Sequence, residues 1–320
     1  MNSTRRQDSF DSAFTKNFIT FAFGFIINFI NGAFVYTYFK SQVLQQDPRY
    51  VLYIHLVIND MIMLSLSVAL QILAYTAPLK FITCCIMVLI SVTVNKNNPL
   101  NLAGMAVERY IAVCRPLHHV HICTVQRAYA LISLIWGVSI IPALADIFII
   151  LATKPLSVFS SNVLCYRLNL YNTPYHKTQS MVIQILLFSF VFLTVIVTYM
   201  KVLLAARAAS GSNQASARNA RNTILLHGVQ LGICMLSFIS PFLNLILVTT
   251  WPQHLSKILF STFLLTNMLP SLLSPLIYGI RDKTFCSHIR MHLRSKCCNS
   301  AGKRLKVMEG HQKRSKQVFD

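Results

Sequence analysis

Long runs of apolar residues, separated by short polar segments, make up most of this chain. Seven runs can be recognised, at residues 18–39, 51–79, 81–107, 128–152, 178–200, 222–250 and 258–280. A helix of about 20 apolar residues spans the hydrocarbon core of a bilayer, and backbone groups in lipid must find their hydrogen bonds within the segment. Alternating strands of about ten residues, as in membrane barrels, do not fit the pattern. The chain is therefore predicted to be an all-α membrane protein with a seven-transmembrane helix bundle.

The same pattern divides the chain into three parts. A polar N-terminal tail covers residues 1–17, the bundle covers 18–280, and a basic tail covers 281–320. The basic tail opens with the stretch "RDKTFCSHIRMHLRSK", which predicts a short amphipathic eighth helix along the membrane surface. The first seventeen residues lack the apolar core of a cleavable signal peptide, so we expect helix one to act as a signal-anchor.

The distribution of charge argues against a nucleic-acid-binding protein and predicts the orientation. Charged residues make up only 12% of the chain, and the net charge is +20. The basic residues lie in short loops and the tail, between segments too apolar to remain in water. Twenty of the 29 Lys and Arg residues fall on one side, which identifies that side as cytoplasmic and places the N-terminus outside the plasma membrane. Asn2 then begins a glycosylation acceptor triplet on the extracellular side.

One stretch combines charge and aromatic residues at the predicted inner end of helix three. It reads "MAVERYIAVCRPLHH" at 105–119 and places Glu108, Arg109 and Tyr110 in succession. Taken alone, such a cluster can simply mark the point where a membrane helix meets the lipid headgroups. Other residues accompany it in a fixed order: Asn31, Pro48, Asp60 in "LVIND", Cys84, Trp136, Tyr199, Pro241 and the string "SPLIYGIRDKTF" at 274–285.

In this order and at this spacing, the residues resemble the rhodopsin-like (class A) family of G-protein-coupled receptors over nearly all of 20–290. The strings at 105–119 and 274–285 are most similar to the odorant-receptor branch, in particular to fish-type odorant receptors. The resemblance implies that Glu108 holds Arg109 in a charge-assisted hydrogen bond at rest, and that Arg109 contacts a heterotrimeric G protein in the active state. Tyr199 and Tyr278 are then expected to move toward Arg109.

Asp60 is a carboxylate in the middle of helix two, and ionisable residues inside a membrane usually have a function and a partner. By resemblance, Asp60 faces Asn31 and Ser274 in a polar, hydrated core that could hold a sodium ion. A structural hydrogen-bond hub without an ion is the alternative. Ser274 stands where the family motif has an asparagine.

Three of the nine cysteines, Cys84, Cys85 and Cys165, lie near the oxidising outer face. The resemblance implies a disulfide between Cys84 and Cys165, which leaves Cys85 free. Paired CxxC motifs are absent, so we expect no metal centre of that kind. Cys297 and Cys298 follow the predicted eighth helix and are candidates for palmitoylation.

Helix three carries an unusual polar group, "SVTVNKNNPLNLAG", in its middle. Polar side chains are expected at that depth only where a helix lines a cavity or packs on a partner. Lys96, with Asn95 and Ser91, could receive a polar or anionic odorant such as a carboxylate. Alternatively, Lys96 forms an internal ion pair, for instance with Asp146 of helix four, or extends toward the membrane surface. Family geometry adds further candidate ligand contacts, each of which could instead serve helix packing: Ile183, Gln184, Leu187, Phe242, Ile246, Leu264 and Asn267.

Three functions compete on the sequence alone: an odorant-type receptor, a class A receptor for an endogenous small-molecule or lipid ligand outside olfaction, and a transporter or channel. Transporters usually contain paired repeats and broken helices, which the sequence does not show. Catalytic constellations, phosphate-binding loops and cofactor motifs are also missing from it, so we expect neither an enzyme nor a cofactor. The favoured interpretation is an odorant-type receptor whose partners are a small-molecule odorant, a heterotrimeric G protein and the lipid bilayer, with no nucleic acid.

Overall fold

The computed structural model describes residues 10–76, 78–163, 165, 170, 173–209, 232–233, 235, 239–240, 243–244, 246–281 and 285–291. Its long helices begin with α1 (Phe10–Lys40), α2 (Pro48–Thr76), α3 (Phe81–Cys114), α4 (Val125–Thr153) and α5 (Pro174–Ala209). We call the described helical residues between 232 and 250 α6. The last membrane helix, α7, runs from Leu255 to Arg281 and contains a π-helical turn at Leu264–Met268. Residues 285–291 form α8.

Shorter elements connect these helices. One-turn and two-turn α-helices lie at Gln42–Gln45 and Pro116–Ile122, and 3₁₀ turns lie at Leu156–Ser160 and Pro252–His254. Two short strands, β1 (Leu79–Lys80) and β2 (Asn162–Val163), form an antiparallel pair.

Six helices in the described part of the chain are long and apolar enough to cross a membrane. They are α1 to α5 and the run Pro252–Ile277, whereas most of the predicted segment 222–250 lies outside the described residues. Large apolar side chains are exposed on their outer faces, such as Phe29 at 73% and Leu186 at 66%. Lipid is the solvent in which surfaces of this kind are stable, so the predicted membrane bundle is confirmed.

Several helices extend beyond the predicted apolar runs, and α5 continues to Ala209 instead of ending at 200. α1 begins at Phe10, inside the predicted tail 1–17, and α3 continues to Cys114 instead of ending at 107. In α1, Lys16 is buried and its Nζ donates to Ser256 Oγ of α7 at 2.7 Å. This hydrogen bond to α7 stabilises the polar first turns of α1. Hydropathy marks the part of a helix that lies in lipid but not the ends of the helix, which depend on such contacts.

The connection from α1 to α2 is organised by Asp47. Asp47 Oδ1 accepts from the backbone nitrogen of Arg49 at 2.9 Å, as an N-cap does, and Pro48 occupies the first helical position. The Arg49 Nε also donates to both carboxylate oxygens, at 3.1 and 3.0 Å. Burial raises the pKa of Asp47, but the hydrogen bonds and charge of Arg49 outweigh this effect and hold the pKa below its ordinary value.

At the opposite end of the bundle, α3 is joined covalently to the connection between α4 and α5. Cys84 and Cys165 form a disulfide with their Cα atoms 5.5 Å apart, and both residues are buried. The pairing of Leu79 with Val163 across β1 and β2 holds the same connection. The predicted disulfide is confirmed, and Cys85 is a free thiol as expected. We call this the disulfide end and the opposite one the Glu108 end.

An aromatic cluster attaches α8 to the bundle. Phe285 is fully buried, and its ring centroid lies 5.6 Å from those of Phe34 and Tyr53 and 5.8 Å from that of Tyr50. The Tyr53 hydroxyl donates to the carbonyl oxygen of Pro275 in α7 at 3.0 Å. The predicted eighth helix is therefore present and is held by the buried face of one aromatic residue.

Two glycines permit close approach of neighbouring helices. A Cβ atom at Gly24 of α1 would lie 2.7 Å from Val68 Cγ2 of α2, and one at Gly104 of α3 would lie 2.9 Å from Leu131 Cδ2 of α4. Because lipid is as apolar as the side chains, membrane helices associate through close packing of this kind.

Candidate functional site

The polar core of the bundle forms around Asp60, which is buried in α2. Asn98 of α3 donates through Nδ2 to Asp60 Oδ1 at 2.6 Å. Asn31 donates through Nδ2 to the carbonyl oxygen of Ser271 at 3.3 Å, and Ser271 lines the same cavity as Asp60. Ser274 lies on α7, but its side chain is outside what the structure describes. The hydrogen bond to Asp60 thus joins α3 to α2, and a polar core of Asp60 with Asn31 and Ser274 stays a prediction.

A small cavity of about 30 Å³ adjoins the Asp60 carboxylate. Its polar lining comes from Asp60, Asn95, Asn98, Asn267 and Ser271. Asn98 Oδ1 is buried and has no hydrogen-bond partner in the protein. A carboxylate surrounded by amide and hydroxyl oxygens is a donor set that suits hard cations, and the volume admits a water molecule or a small ion. The residues therefore fit the sodium ion that the sequence suggested.

At the Glu108 end, the Glu108 side chain is buried and has a partner that sequence reasoning did not identify. His119, on the short helix Pro116–Ile122, donates through Nε2 to Glu108 Oε1 at 2.9 Å. Since a carboxylate can only accept, the proton lies on this ring nitrogen. Among the described residues no ion pair joins Glu108 to Arg109, in contrast to the prediction. The reason is geometric, because successive residues of a helix point about 100° apart and do not face each other.

The other switch residues bring α3 and α5 together. Arg109 and Tyr110 are half-buried, and the Lys201 ammonium of α5 lies 5.5 Å from the centroid of the Tyr110 ring. Tyr199 is half-buried two positions before Lys201. Tyr278 lies on α7, and its side chain is outside the described part of the structure. The expected approach of Tyr199 and Tyr278 to Arg109 remains a prediction.

Charges act on several groups around the short helix that carries His119. Burial raises the pKa of Cys123, and the Glu108 carboxylate raises it further, whereas Arg127 lowers it. An electrostatic contribution from His119, smaller than those of Arg49, also lowers the pKa of Asp47. The short helix therefore places His119 within the electrostatic reach of two carboxylates, Glu108 of α3 and Asp47 before α2.

Comparison with known proteins agrees with this arrangement. The profile of the seven-transmembrane receptors of the rhodopsin family matches residues 30–278, which include the polar core and the Glu108 motif. The chain belongs to this receptor family. It is similar to odorant receptor 131-2 of Danio rerio, with 29% identity over 268 residues that cover 83% of this chain and 82% of that protein. It is also similar to olfactory receptor 10Q1 of Homo sapiens, with 26% identity over 243 residues and 72% coverage of each chain. The protein is thus a multi-pass membrane receptor and not an enzyme.

The ligand contacts predicted on α3 and α5 of the receptor all lie in described parts of these helices, and their role in ligand binding stays a prediction. Ser91 Oγ donates to Met63 Sδ of α2 at 3.7 Å, and Asn95 belongs to the cavity at Asp60. Lys96 is half-buried on α3 and stays a candidate for either a ligand contact or an internal ion pair with Asp146. The predicted residues of α5 are half-buried: Ile183, Gln184 and Leu187.

The predicted ligand contacts on α6 and α7 lie in different surroundings. Ile246 is 60% exposed and does not line the cavities at Asp60 or between α2, α6 and α7, so its contact with a ligand stays a prediction. Residues two apart on a helix point about 200° apart, and Asn244 is the one that faces inward. Phe242 lies outside the described residues. Leu264 packs in an apolar cluster between α1, α2 and α7, which agrees with the packing alternative. Asn267 does line cavities in the bundle.

Sequence reasoning missed several functional candidates. Asn98 and His119 were recognised only as members of polar strings, and their partners were not identified. A second cavity, of about 250 Å³ between α2, α6 and α7, is lined in part by Gln71, Ser240 and Asn244. Ser240 and Asn244 are four residues apart and share one helix face, so their spacing within an apolar segment could have indicated a polar stripe.

Proposed function

We propose that this receptor is an odorant receptor that binds a small organic ligand within the helix bundle and activates a heterotrimeric G protein. The observation that carries the proposal is the similarity to odorant receptor 131-2, which extends over 83% of the chain and therefore includes most of the bundle. The second relative is named an olfactory receptor and supports the same conclusion.

The receptor lies in the plasma membrane with its N-terminus outside and its C-terminus in the cytoplasm. The support is the distribution of charge, because twenty of the 29 Lys and Arg residues fall on the side of the Glu108 end. Glycosylation at Asn2 and palmitoylation at Cys297 and Cys298 belong to the same proposal, and all three residues lie outside the described part of the structure. Epitope tags at the two termini, probed on intact and permeabilised cells, test the orientation.

The Glu108 end acts as the switch. In the resting arrangement, the hydrogen bond from His119 holds Glu108 against the short helix, and the half-buried Arg109 and Tyr110 lie beside α5. Activation releases Glu108 and exposes Arg109 to the G protein, while Tyr199 and Tyr278 approach it. A buried carboxylate such as Glu108 is stable only while a donor or a cation contacts it, and this requirement suits a two-state element.

The polar core couples the ligand to this switch. Asp60 and Asn98 link α2 to α3, and the adjoining cavity also contains Asn267 of α7. A sodium ion held by Asp60, Asn95 and Asn98 would neutralise the buried carboxylate in the resting state. A change at α7 would then alter the hydrogen bonding of α2 and α3 at the same depth.

The proposal is tested by nucleotide exchange on a purified heterotrimeric G protein with the receptor in lipid nanodiscs. We expect odorants to accelerate exchange, and we expect Arg109→Ala to bind ligand without accelerating exchange. Failure of a broad panel of acids, esters, ketones, alcohols and steroids to accelerate exchange with the folded receptor would overturn the proposal. Replacement of Lys96 by methionine separates its two candidate roles. If Lys96 is the counter-ion of the ligand, the variant should lose its response to acids alone. If Lys96 forms an internal ion pair, the responses to acids and to neutral ligands should fall equally.

A further inference from the structure

His119 lies where three elements meet at the Glu108 end. It is carried by the short helix Pro116–Ile122 and donates through Nε2 to Glu108 Oε1 of α3 at 2.9 Å. It also lines an open cavity of about 480 Å³, together with Asp47 and Arg49 from the connection between α1 and α2. The His119 side chain is 24% exposed, so water reaches the imidazole while one of its nitrogens contacts a buried carboxylate.

The hydrogen bond to Glu108 forms whether the imidazole is neutral or protonated. In the neutral ring the proton lies on Nε2, because the carboxylate accepts. A second proton adds to Nδ1 and leaves the Nε2 donor in place, but it gives the ring a positive charge. The contact then joins two opposite charges, and hydrogen bonds between charged groups are stronger than those with a neutral donor. Protonation of His119 therefore strengthens the contact without a change of partner.

The carboxylates around His119 favour its cationic form. The Glu108 side chain is 8% exposed, so solvent screens it little. An electrostatic contribution from His119 lowers the pKa of Asp47, and this attraction is mutual, since each charge stabilises the other. Two carboxylates from two different elements thus act on one imidazole.

The arginines nearest to His119 have contacts of their own. The Arg49 Nε donates to both carboxylate oxygens of Asp47, at 3.1 and 3.0 Å. Arg127 of α4 is exposed, and its Nη1 donates to the carbonyl oxygens of His121 and Ile122 at 3.0 and 3.1 Å. These cations oppose a positive charge on His119, but one is paired with a carboxylate and the other is screened by water.

The remaining titratable groups of this region add little charge near the ring. Arg115, His118 and His121 lie beside or on the short helix and are exposed, so solvent screens them. Burial raises the pKa of the Cys123 thiol, which also lines the cavity, so this group is neutral near pH 7. Of the three histidines on the short helix, His119 alone is half-buried and contacts a carboxylate in the part of the chain that the structure describes.

A histidine in this position couples the contact to pH. Histidine is the side chain whose ordinary titration falls between about pH 5 and pH 8. Because protonation strengthens the contact with Glu108, the arrangement that contains the contact binds the proton more tightly than an arrangement without it. By linkage, protons then stabilise the arrangement with the contact, and this stabilisation is lost as the pH rises.

We propose that His119 makes the receptor sensitive to the pH of the solution at its Glu108 end, with the proton acting as a ligand that favours the resting arrangement. The protonated ring holds Glu108 against the short helix, and loss of the proton lowers the cost of releasing Glu108. This inference rests on the proposed function, in which the contact belongs to the resting receptor. Binding of the proton itself requires no G protein and is measured separately.

The test follows the purified receptor in nanodiscs from about pH 6 to about pH 8, by melting temperature and by basal nucleotide exchange. Exchange by the G protein alone is subtracted at each pH. Two variants fix the charge at the position: His119→Gln is always neutral but still has a donor, and His119→Lys is always cationic in this range. His118→Gln is the matched control, since His118 lies on the same short helix but is exposed.

We expect basal exchange by the wild type and by His118→Gln to be roughly fivefold lower at the acidic limit than at the alkaline limit, as when a neutral donor to a carboxylate becomes a charged one. His119→Gln should lose this dependence and stay near the alkaline value of the wild type. His119→Lys should also lose it and stay near the acidic value. The melting temperature of the wild type, relative to that of His119→Gln, should rise as the pH falls.

The proposal is overturned if His119→Gln and His119→Lys keep the pH dependence of the wild type. It is also overturned if basal exchange rises as the pH falls, because acid would then act on Glu108 itself, or if the melting temperatures follow pH through His119 while exchange does not. If one variant fails to fold, the other carries the same test, since both should be independent of pH. Failure of every odorant to accelerate exchange contradicts the proposed function, whereas the melting temperatures still report whether His119 binds the proton.

Discussion

Removal of the His119–Glu108 hydrogen bond should raise the signalling activity of the receptor without ligand. The side chain of Glu108 is 8% exposed and that of His119 is 24% exposed, so solvent weakens the contact little. A hydrogen bond to a charged group contributes about 1.5–3 kcal/mol, which corresponds to a factor of roughly 10 to 150 in an equilibrium constant. If the bond exists only in the resting state, its loss shifts the ratio of active to resting receptor by up to this factor.

The starting population determines the size of the effect. For a receptor that is active about 1% of the time without ligand, the active fraction rises to between roughly 10% and 60%. Both Glu108→Gln and His119→Ala should produce this rise. Because both changes remove the same contact, the double variant should show little further increase over either single one.

The assay is basal nucleotide exchange at equal receptor concentration in nanodiscs, with melting temperatures as a check on folding. His118→Ala is the matched control, since His118 lies on the same short helix but is exposed. The reasoning is refuted if Glu108→Gln and His119→Ala show the basal exchange of the control. A fall in melting temperature without a change in exchange would also refute it, because the contact would then serve folding alone.

Two further predictions concern stability. Gly24→Ala should lower the melting temperature, because the added Cβ meets the rotationally restricted Val68 and overpacking typically costs about 1–3 kcal/mol, whereas Gly137→Ala, with no atom within 4 Å, should be neutral or stabilising by up to about 1 kcal/mol. Equal melting temperatures for the two alanine variants would contradict the close packing of α1 on α2. Asp47→Asn keeps an N-cap but loses the charge paired with Arg49, so it should be less stable at pH 7 by up to about 1 kcal/mol. Because the folded-state pKa of Asp47 is lowered, this difference should persist at pH 5 and disappear only as the pH falls through the folded value, below about 4. Its disappearance between pH 7 and pH 5 would show that another group is responsible.

The candidate site could be predicted only in part, and particular residues show why. Asp60 and Glu108 were recognised because a carboxylate within or at the end of an apolar run is conspicuous in any sequence. Their partners, Asn98 and His119, lie on other elements and are separated from them by 38 and 11 positions. Pairing across helices depends on how each helix is rotated about its axis, which local sequence does not specify.

The sequence alone determined that this protein is a bundle of membrane helices, because the length of an apolar run and the thickness of a bilayer can be compared without any tertiary contact. Resemblance of ordered motifs added the disulfide and the eighth helix. The tertiary structure alone decided which faces of the helices meet. It turned Asn244 toward a cavity and left Ile246 exposed, brought Asn267 between two cavities, and placed His119 against Glu108. In an apolar solvent both faces of a membrane helix can be hydrophobic, so the direction of burial is set by close packing and hydrogen bonding between helices and not by hydropathy.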